Sequence, residues 1–305
     1  MPLFITRRTY NASKKKFTNN LAALSRHVFL QKTPAGKLEG GIISQADWLD
    51  QLAQASNGNG VLFYVHGFNT DQPSMLSRLE KVEEGLKAAG FQGAIVAFDW
   101  PSEGNVLAYD ADRRMSKDVA PFLIPDAVHP VTARLPGQNV SFLCHSMGCF
   151  LTLRALSGEG DHVGQVPCQL DEVLFTAADV DAEALRQGAW GALVMEKRCT
   201  RFTNYYSVAD KVLALSGGLI HGGQERAGHV GMPDLKAANS VDVYTTAQFR
   251  KHVPVADQGK QILSHNWYYD DAGFYRDAKL TIEGTTAAAM PTRRDTDQVD
   301  KALLT

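Results

Sequence analysis

Four features that often settle a function are scarce or missing. Charge of one sign is the first: Lys+Arg is 31 and Asp+Glu 33, a net charge of -2 over 305 residues. A partner recognised mainly through phosphate charge usually demands a basic excess, so nucleic acid is not an expected ligand. Cysteine is the second. Cys144, Cys149, Cys168 and Cys199 form no CxxC pair and are too few for a disulfide framework. Long apolar runs are the third. The longest stretches free of Asp, Glu, Lys and Arg are 51–70 and 135–153; the first carries Gln, Asn and Gly in its leading half, and the second has Pro136, Gly137, Gln138 and Asn139 near its start. Neither supplies the roughly 20 apolar residues of a membrane span. The fourth is a leader: MPLFITRRTYNASKKKF has no apolar core and no small-residue cleavage site. A cytoplasmic protein is expected.

What is present is ordinary globular composition, 44% hydrophobic and 21% charged, which excludes disordered and low-complexity architectures. At about 150 residues per domain the length would suit two domains, although one α/β domain often reaches this size. Short β-rich runs alternate with helical patterns. Val61–Val65, Ala94–Phe98, Val140–Leu143, Glu172–Thr176, Arg201–Tyr206 and Val241–Tyr244 read as strands. They are continuous rather than alternating, as in a largely parallel sheet covered on both faces. Met75, Leu79, Val82 and Leu86 repeat at helical spacing, with Gly90 as C-cap, and 147–156 reads as a buried helix. Residues 102–134 mix charge with a proline-studded apolar stretch and are expected to form a cap or lid. Residues 216–233 are glycine-rich and expected as a loop, and 281–305 as a polar tail that frays.

The most informative stretch is NVSFLCHSMGCFLTLRAL. Ser146 stands between an apolar strand and an apolar helix, with small residues two positions either side, a variant of the G-x-S-x-G nucleophile elbow. Such a turn exposes the serine Oγ and aims the helix N-terminus at a reacting carbonyl. Cys144 stands where glycine is usual and is read as a small buried thiol rather than a nucleophile. His145 is too near the serine to orient as its base and is read as a packing or hydrogen-bonding residue.

An elbow supplies one oxyanion donor, here the N–H of Met147, and the second comes from the loop after an earlier strand. VLFYVHGFNTD offers that loop, with the N–H of Phe68 as donor and Asn69 as the alternative. A serine also needs a base and an acid to orient it, in the chain order Ser, Asp/Glu, His. His265, in SHNWYYDD, suits that order better than His162, in GEGDHVG, His221 and His229, in the glycine-rich loop, or His252, in a basic turn. The spacing of His221 and His229 matches no metal motif. Asp210 follows the strand RFTNYY, where ligand-facing residues of an open sheet collect. Asp181, or Asp179, is the alternative acid, although Asp181 would equally serve as a helix N-cap.

Together HGFNTD, FDWPSEG, HSMG, AADVDAEAL, YYSVADKVLALSGGLIHGGQERAG and SHNWYYDD resemble the bacterial alpha/beta-hydrolase family catalogued as domain of unknown function nine hundred. The resemblance runs in order from about Pro2 to Leu280. It implies an α/β-hydrolase fold with Ser146 as nucleophile, Asp210 as acid and His265 as base. Two departures stand out: Cys144 in the elbow, and Asn-Trp after His265 where Ser-Tyr is more common. The expected activity is hydrolysis of a small-molecule carboxylic ester, with no metal or organic cofactor. Phe68, Asn69, Trp100, Tyr109, His145, Trp267, Tyr268 and Tyr269 are candidate pocket residues. Thioester or amide hydrolysis and acyl transfer would use the same three groups. A non-catalytic binding protein on this fold is the alternative of another class.

Overall fold

The computed structural model describes all residues except 1, 36, 104–107, 160–167 and 298–299, and the side chain of Leu219 is likewise left out. His162, one of the histidine candidates, therefore lies outside the described residues.

The six strands read from the sequence form the middle of one sheet. They are β4 (Val61–Val65), β5 (Ala94–Asp99), β6 (Val140–His145), β7 (Leu170–Thr176), β8 (Cys199–Tyr206) and β9 (Ser240–Tyr244), all parallel, in the order β5-β4-β6-β7-β8-β9. Their continuous apolar character has a direct cause. In β4, Val61, Phe63 and Val65 enter one buried cluster, while Leu62 and Tyr64 enter another on the opposite face. The predicted amphipathic helix is α2 (Gln72–Ala88), with Met75, Leu79, Val82 and Leu86 all buried. Asp71 caps it by accepting from Ser74 N, and Gly90 follows at a positive φ of 94°.

The sheet is longer than the sequence pattern suggested. At one edge β1 (Leu3–Asn11) pairs parallel to β5. It also pairs antiparallel to β2 (Lys16–Lys32), which carries β3 (Leu38–Ile43). At the other edge β11 (Lys301–Leu303) lies parallel to β9 and pairs with β10 (Arg293–Asp295). The C-terminal stretch expected to fray is thus part of the sheet. It is fastened by Arg293, whose guanidinium meets both Asp277 oxygens at 2.6–3.1 Å and also reaches Tyr205 Oη and Thr281 Oγ1.

Residues 109–134, expected within a cap, form the crossover from β5 to β6 instead. It runs as α3 (Tyr109–Leu123), a π-helical turn (Ile124–Val128) and α4 (His129–Arg134). Val119, Leu123, Ala127 and Val131 are buried in the core beside the helix that follows β6, α5 (Met147–Ser157). The prolines that suggested an irregular cap sit at Pro121, inside α3, and at the first turns of the next two segments. The glycine-rich stretch 216–233 is also partly helical, containing a π-helical turn (Ser216–Ile220) and α8 (Ala227–Val230).

β4 is followed in sequence by β5 on one side but neighbours β6 on the other. The crevice above the C-terminal ends of β4 and β6 is therefore a topological switch point, where open α/β sheets bind ligands.

The Arg293 anchor is testable. Arg293→Met leaves the Asp277 carboxylate buried without its cation, and the expected loss is about 3–5 kcal/mol. Removing both charges as Asp277→Asn/Arg293→Met should cost less than the single change. Urea unfolding of the three proteins measures the difference.

Candidate active site

The loops after β4 and β6 meet at that switch point. Ser146 has φ 55° and ψ −122°, a conformation that L-residues avoid and that costs of order 1–3 kcal/mol. It is held by Ser146 N donating to Thr176 O at 3.0 Å, and by Cys149 N donating to Ser146 O at 3.0 Å as α5 begins. The turn closes only because its neighbours are glycine. A Cβ at Gly148 would come within 2.4 Å of His66 O, and one at Gly67 within 2.8 Å of Ser146 Cβ. Cys144 is tolerated in the elbow because its side chain turns into the core, Sγ lying 3.2 Å from Thr152 Oγ1.

His265 lies on α10 (Gln261–Asn266), and its Nδ1 donates to Asp210 Oδ2 at 2.7 Å. That bond selects the tautomer with Nε2 as the lone-pair nitrogen. The other oxygen of Asp210 accepts from the N–H groups of Val212 and Leu213, both at 3.0 Å. Asp210 therefore caps α7 (Lys211–Leu215) and orients the imidazole at once. Ser264 locks α10 against α7 by accepting from Lys211 N at 3.1 Å. Ser146 and His265 line one pocket, and among the described residues no hydrogen bond yet joins them. Such contacts commonly tighten only around a ligand.

The N–H groups of Phe68 and Met147 donate to no protein acceptor among the described residues, whereas Asn69 N is committed to Asp112 Oδ2 at 3.2 Å. Phe68 is thus the available donor on the β4 loop. That loop is braced from beneath. His66 Nδ1 donates to Gly67 O at 2.9 Å, and its Nε2 accepts from Trp100 N at 3.2 Å. Asp112 gathers Ser102 Oγ and Glu103 N as well as Asn69 N. Arg8, brought in by β1, reaches Thr70 O at 2.7 Å and Asp99 at 2.8 Å. Burial alone would raise the Asp99 carboxyl, but Arg8 and His66 outweigh it and hold it at about 2. Burial pushes the His66 imidazole below its ordinary value, against the opposing pull of Asp99.

His145 Nε2 donates to the His265 carbonyl at 3.1 Å, and its ring packs edge-on against His265 at 4.7 Å. Burial, reinforced by the charges of His265 and Arg78, pushes its pKa well down. Asp181 is an N-cap, accepting from Glu183 N at 3.1 Å, and takes no part in the pocket. Asp179 does line the pocket but is held by Arg226 at 2.9 Å and Arg113 at 3.4 Å. Tyr109 donates to Asp179 Oδ2 at 2.5 Å and lies 2.6 Å from His221 Nε2. The Tyr109 ring packs edge-on against Phe68 at 5.3 Å.

The pocket has a volume of about 370 Å³. Phe68, Asn69, Tyr109 and His145 line it, but Trp100, Trp267, Tyr268 and Tyr269 do not. Trp100 is stacked under the β4 loop on His66, and Trp267 and Tyr268 pack on Phe249 and Phe274 in the core. Their position in SHNWYYDD suggested a pocket wall, yet the helical turn after His265 swings these rings toward the sheet. Arg78 and the Asp179 ion pairs were not legible, and His221, weighed as a base, meets Tyr109 instead. Arg78 sits among the polar residues of α2, and Arg113 and Arg226 reach Asp179 from distant segments.

A parallel sheet with this switch point, a serine on a strained strand–helix turn and a histidine–carboxylate pair above it define an α/β-hydrolase. Residues 43–272 match the family described as alpha/beta hydrolase of unknown function (DUF900), and the chain belongs to that family. No curated protein matches it. Among solved structures it is similar to a cold-adapted esterase from an Arctic intertidal metagenomic library. The identity is 13% and the TM-score 0.36, over 81% of this chain and 93% of that one. It is also similar to phospholipase PlaB from Legionella pneumophila, at 14% identity and TM-score 0.28, over 68% of this chain and 45% of that one. Among the described residues no helix is long and apolar enough to cross a membrane.

All four cysteines are buried and unpaired. Burial pushes the Cys144 and Cys168 thiols up to about 12, so they stay protonated at pH 8, where only the thiolate would react. Iodoacetamide at pH 8 should label none of the four in the folded protein and all four after denaturation, read by intact mass.

Proposed function

We propose that the protein is a serine hydrolase of carboxylic esters. Ser146 Oγ attacks the acyl carbon while His265 Nε2 takes its proton, and Asp210 stabilises the imidazolium that forms. The oxyanion receives hydrogen bonds from Phe68 N and Met147 N at the positive end of α5. Collapse of the intermediate breaks the C–O bond, and the alcohol leaves with the proton from His265. Water then attacks the acyl-enzyme by the same path, releasing the acid and restoring Ser146.

The observation that carries this reading is the 2.7 Å Asp210–His265 pair in one pocket with a strained, glycine-flanked Ser146. The available N–H groups at Phe68 and Met147 support it. Val212, Leu213, Leu215, Ile220 and Ile262 give the pocket apolar walls suited to an acyl or alcohol chain. Thioesters and amides would meet the same groups, so the bond cleaved is decided by the substrate rather than by this geometry.

A fluorophosphonate probe should label the protein stoichiometrically at Ser146. Absence of an adduct would exclude the hydrolase reading in favour of a binding protein. Ser146→Ala should lower turnover of a p-nitrophenyl ester by on the order of 10⁶. Asp210→Asn should lower it by about 10⁴, through the wrong imidazole tautomer. Full activity in Asp210→Asn would show that another acid serves His265.

A further inference from the structure

The pocket holds a cation that this chemistry does not use. Arg78, on α2, lines it together with His145, Ser146 and His265. Its guanidinium donates to the Thr70 hydroxyl and lies 5.9 Å from the face of Tyr269. Both partners are neutral. Among the described residues no carboxylate forms a salt bridge with it: Asp71, at the start of the same helix, caps Ser74 N at 3.0 Å, and Arg78 is the last of the influences that lower its carboxyl, after Ser74 and Arg8.

The carboxylates at the pocket are already matched. Asp179 faces Arg226 and Arg113, and Asp210 faces His265. Arg78 is therefore surplus positive charge at the cavity wall. A half-buried cation facing neutral partners is stabilised by any anion that reaches it, and more so where apolar walls lower the local dielectric. The guanidinium fork also has N–H groups left over from Thr70, in the geometry that matches a carboxylate or phosphate.

A second set of groups points the same way. Asn69, Gln261 and Asn266 line the cavity, and among the described residues their side-chain amides bond to no protein group. They are neutral donors available to a polar ligand. The apolar part of the lining is equally uneven. Leu213 is buried, but Leu215 and Ile220 are each 48% exposed and Ile262 60% exposed, so the apolar wall continues from the cavity to the surface.

We propose that Arg78 anchors an oxyanion, carboxylate or phosphate, carried by an amphiphilic substrate whose apolar chain lies along Leu213, Leu215, Ile220 and Ile262. This deepens the ester-hydrolase reading and rests on it for the word substrate, but the anion site itself stands on the pocket alone.

The test separates the two. Full-length protein carrying Ser146→Ala is titrated at low ionic strength with octanoate, octyl phosphate and octanamide. At least one anion should bind about tenfold or more tightly than octanamide, and that ratio should shrink as NaCl is added. Arg78→Gln should bring the ratio close to one, and Arg78→Lys should keep part of it as a point charge without the fork. Loss of structure would weaken anion and amide alike and leave the ratio unchanged. Which anion gains distinguishes carboxylate from phosphate. The proposal is overturned if neither anion outbinds octanamide, if the preference ignores salt, or if it survives in Arg78→Gln. An anion preference without fluorophosphonate labelling of Ser146 would remove the hydrolase function and keep the anion site. Labelling without the preference would do the reverse.

Discussion

Everything at the candidate site depends on one close approach, between the loop after β4 and the turn after β6. Ser146 can hold its left-handed backbone only if its flanks admit the neighbouring strand. Gly148 passes under the carbonyls of Val65 and His66, and Gly67 passes over Ser146 Cβ. The same contact sets the nucleophile, the start of α5 and the Phe68 and Met147 N–H groups in one rigid relation. A methyl group at either glycine would separate them together. The strain at Ser146 is small beside the burial of β4 and β6 on both faces, which is why the sheet can impose it.

Rigid placement of the β4 loop has a second source, a polar layer beneath it. The backbone groups of 66–70 cannot all find partners in a loop, and buried polar groups without partners are costly. Trp100, Ser102, Asp112 and Arg8 satisfy them from three other segments, and His66 adds its own side chain. Arg8 comes from β1, outside the 43–272 stretch that defines the family. The N-terminal strands are therefore part of the support of the site. They deliver Arg8, whose guanidinium neutralises Asp99 under the site.

The central strands and the elbow were legible because each is encoded locally. A strand buried on both faces is a continuous apolar run, and an elbow needs small residues at fixed offsets from its serine. Asp210 and His265 were legible through chain order and motif, and the same aspartate satisfies both the helix cap and the imidazole. The edges of the sheet were not legible, for physical reasons. β2 is largely exposed, so its hydrophobic signal is diluted, and β10 and β11 are three residues each, held by Arg293 and Asp277 rather than by pattern. The 109–134 crossover misled because proline at helix first turns looks in sequence like proline in a loop. The aromatic run after His265 misled because a single helical turn decides whether rings face the cavity or the sheet.

Net charge is the coarsest of the sequence measures, and the pocket shows why. A balance of -2 over the chain argues against a nucleic-acid partner but says nothing of the charge inside a pocket. The balance is reached by charges scattered over the surface, many of them locally paired, as in Lys32–Glu80, Lys81–Asp270 and Arg134–Asp50. Such pairs are screened by water and say little about a cavity. Inside the crevice the relevant sum runs over a handful of groups: Asp179 and Arg78 line it, Asp179 is already paired with Arg113 and Arg226, and Asp210 is paired with His265. A ligand entering from the apolar rim meets that local sum, not the global one. A polar or anionic end on an apolar chain is therefore better matched to this pocket than a wholly apolar ester.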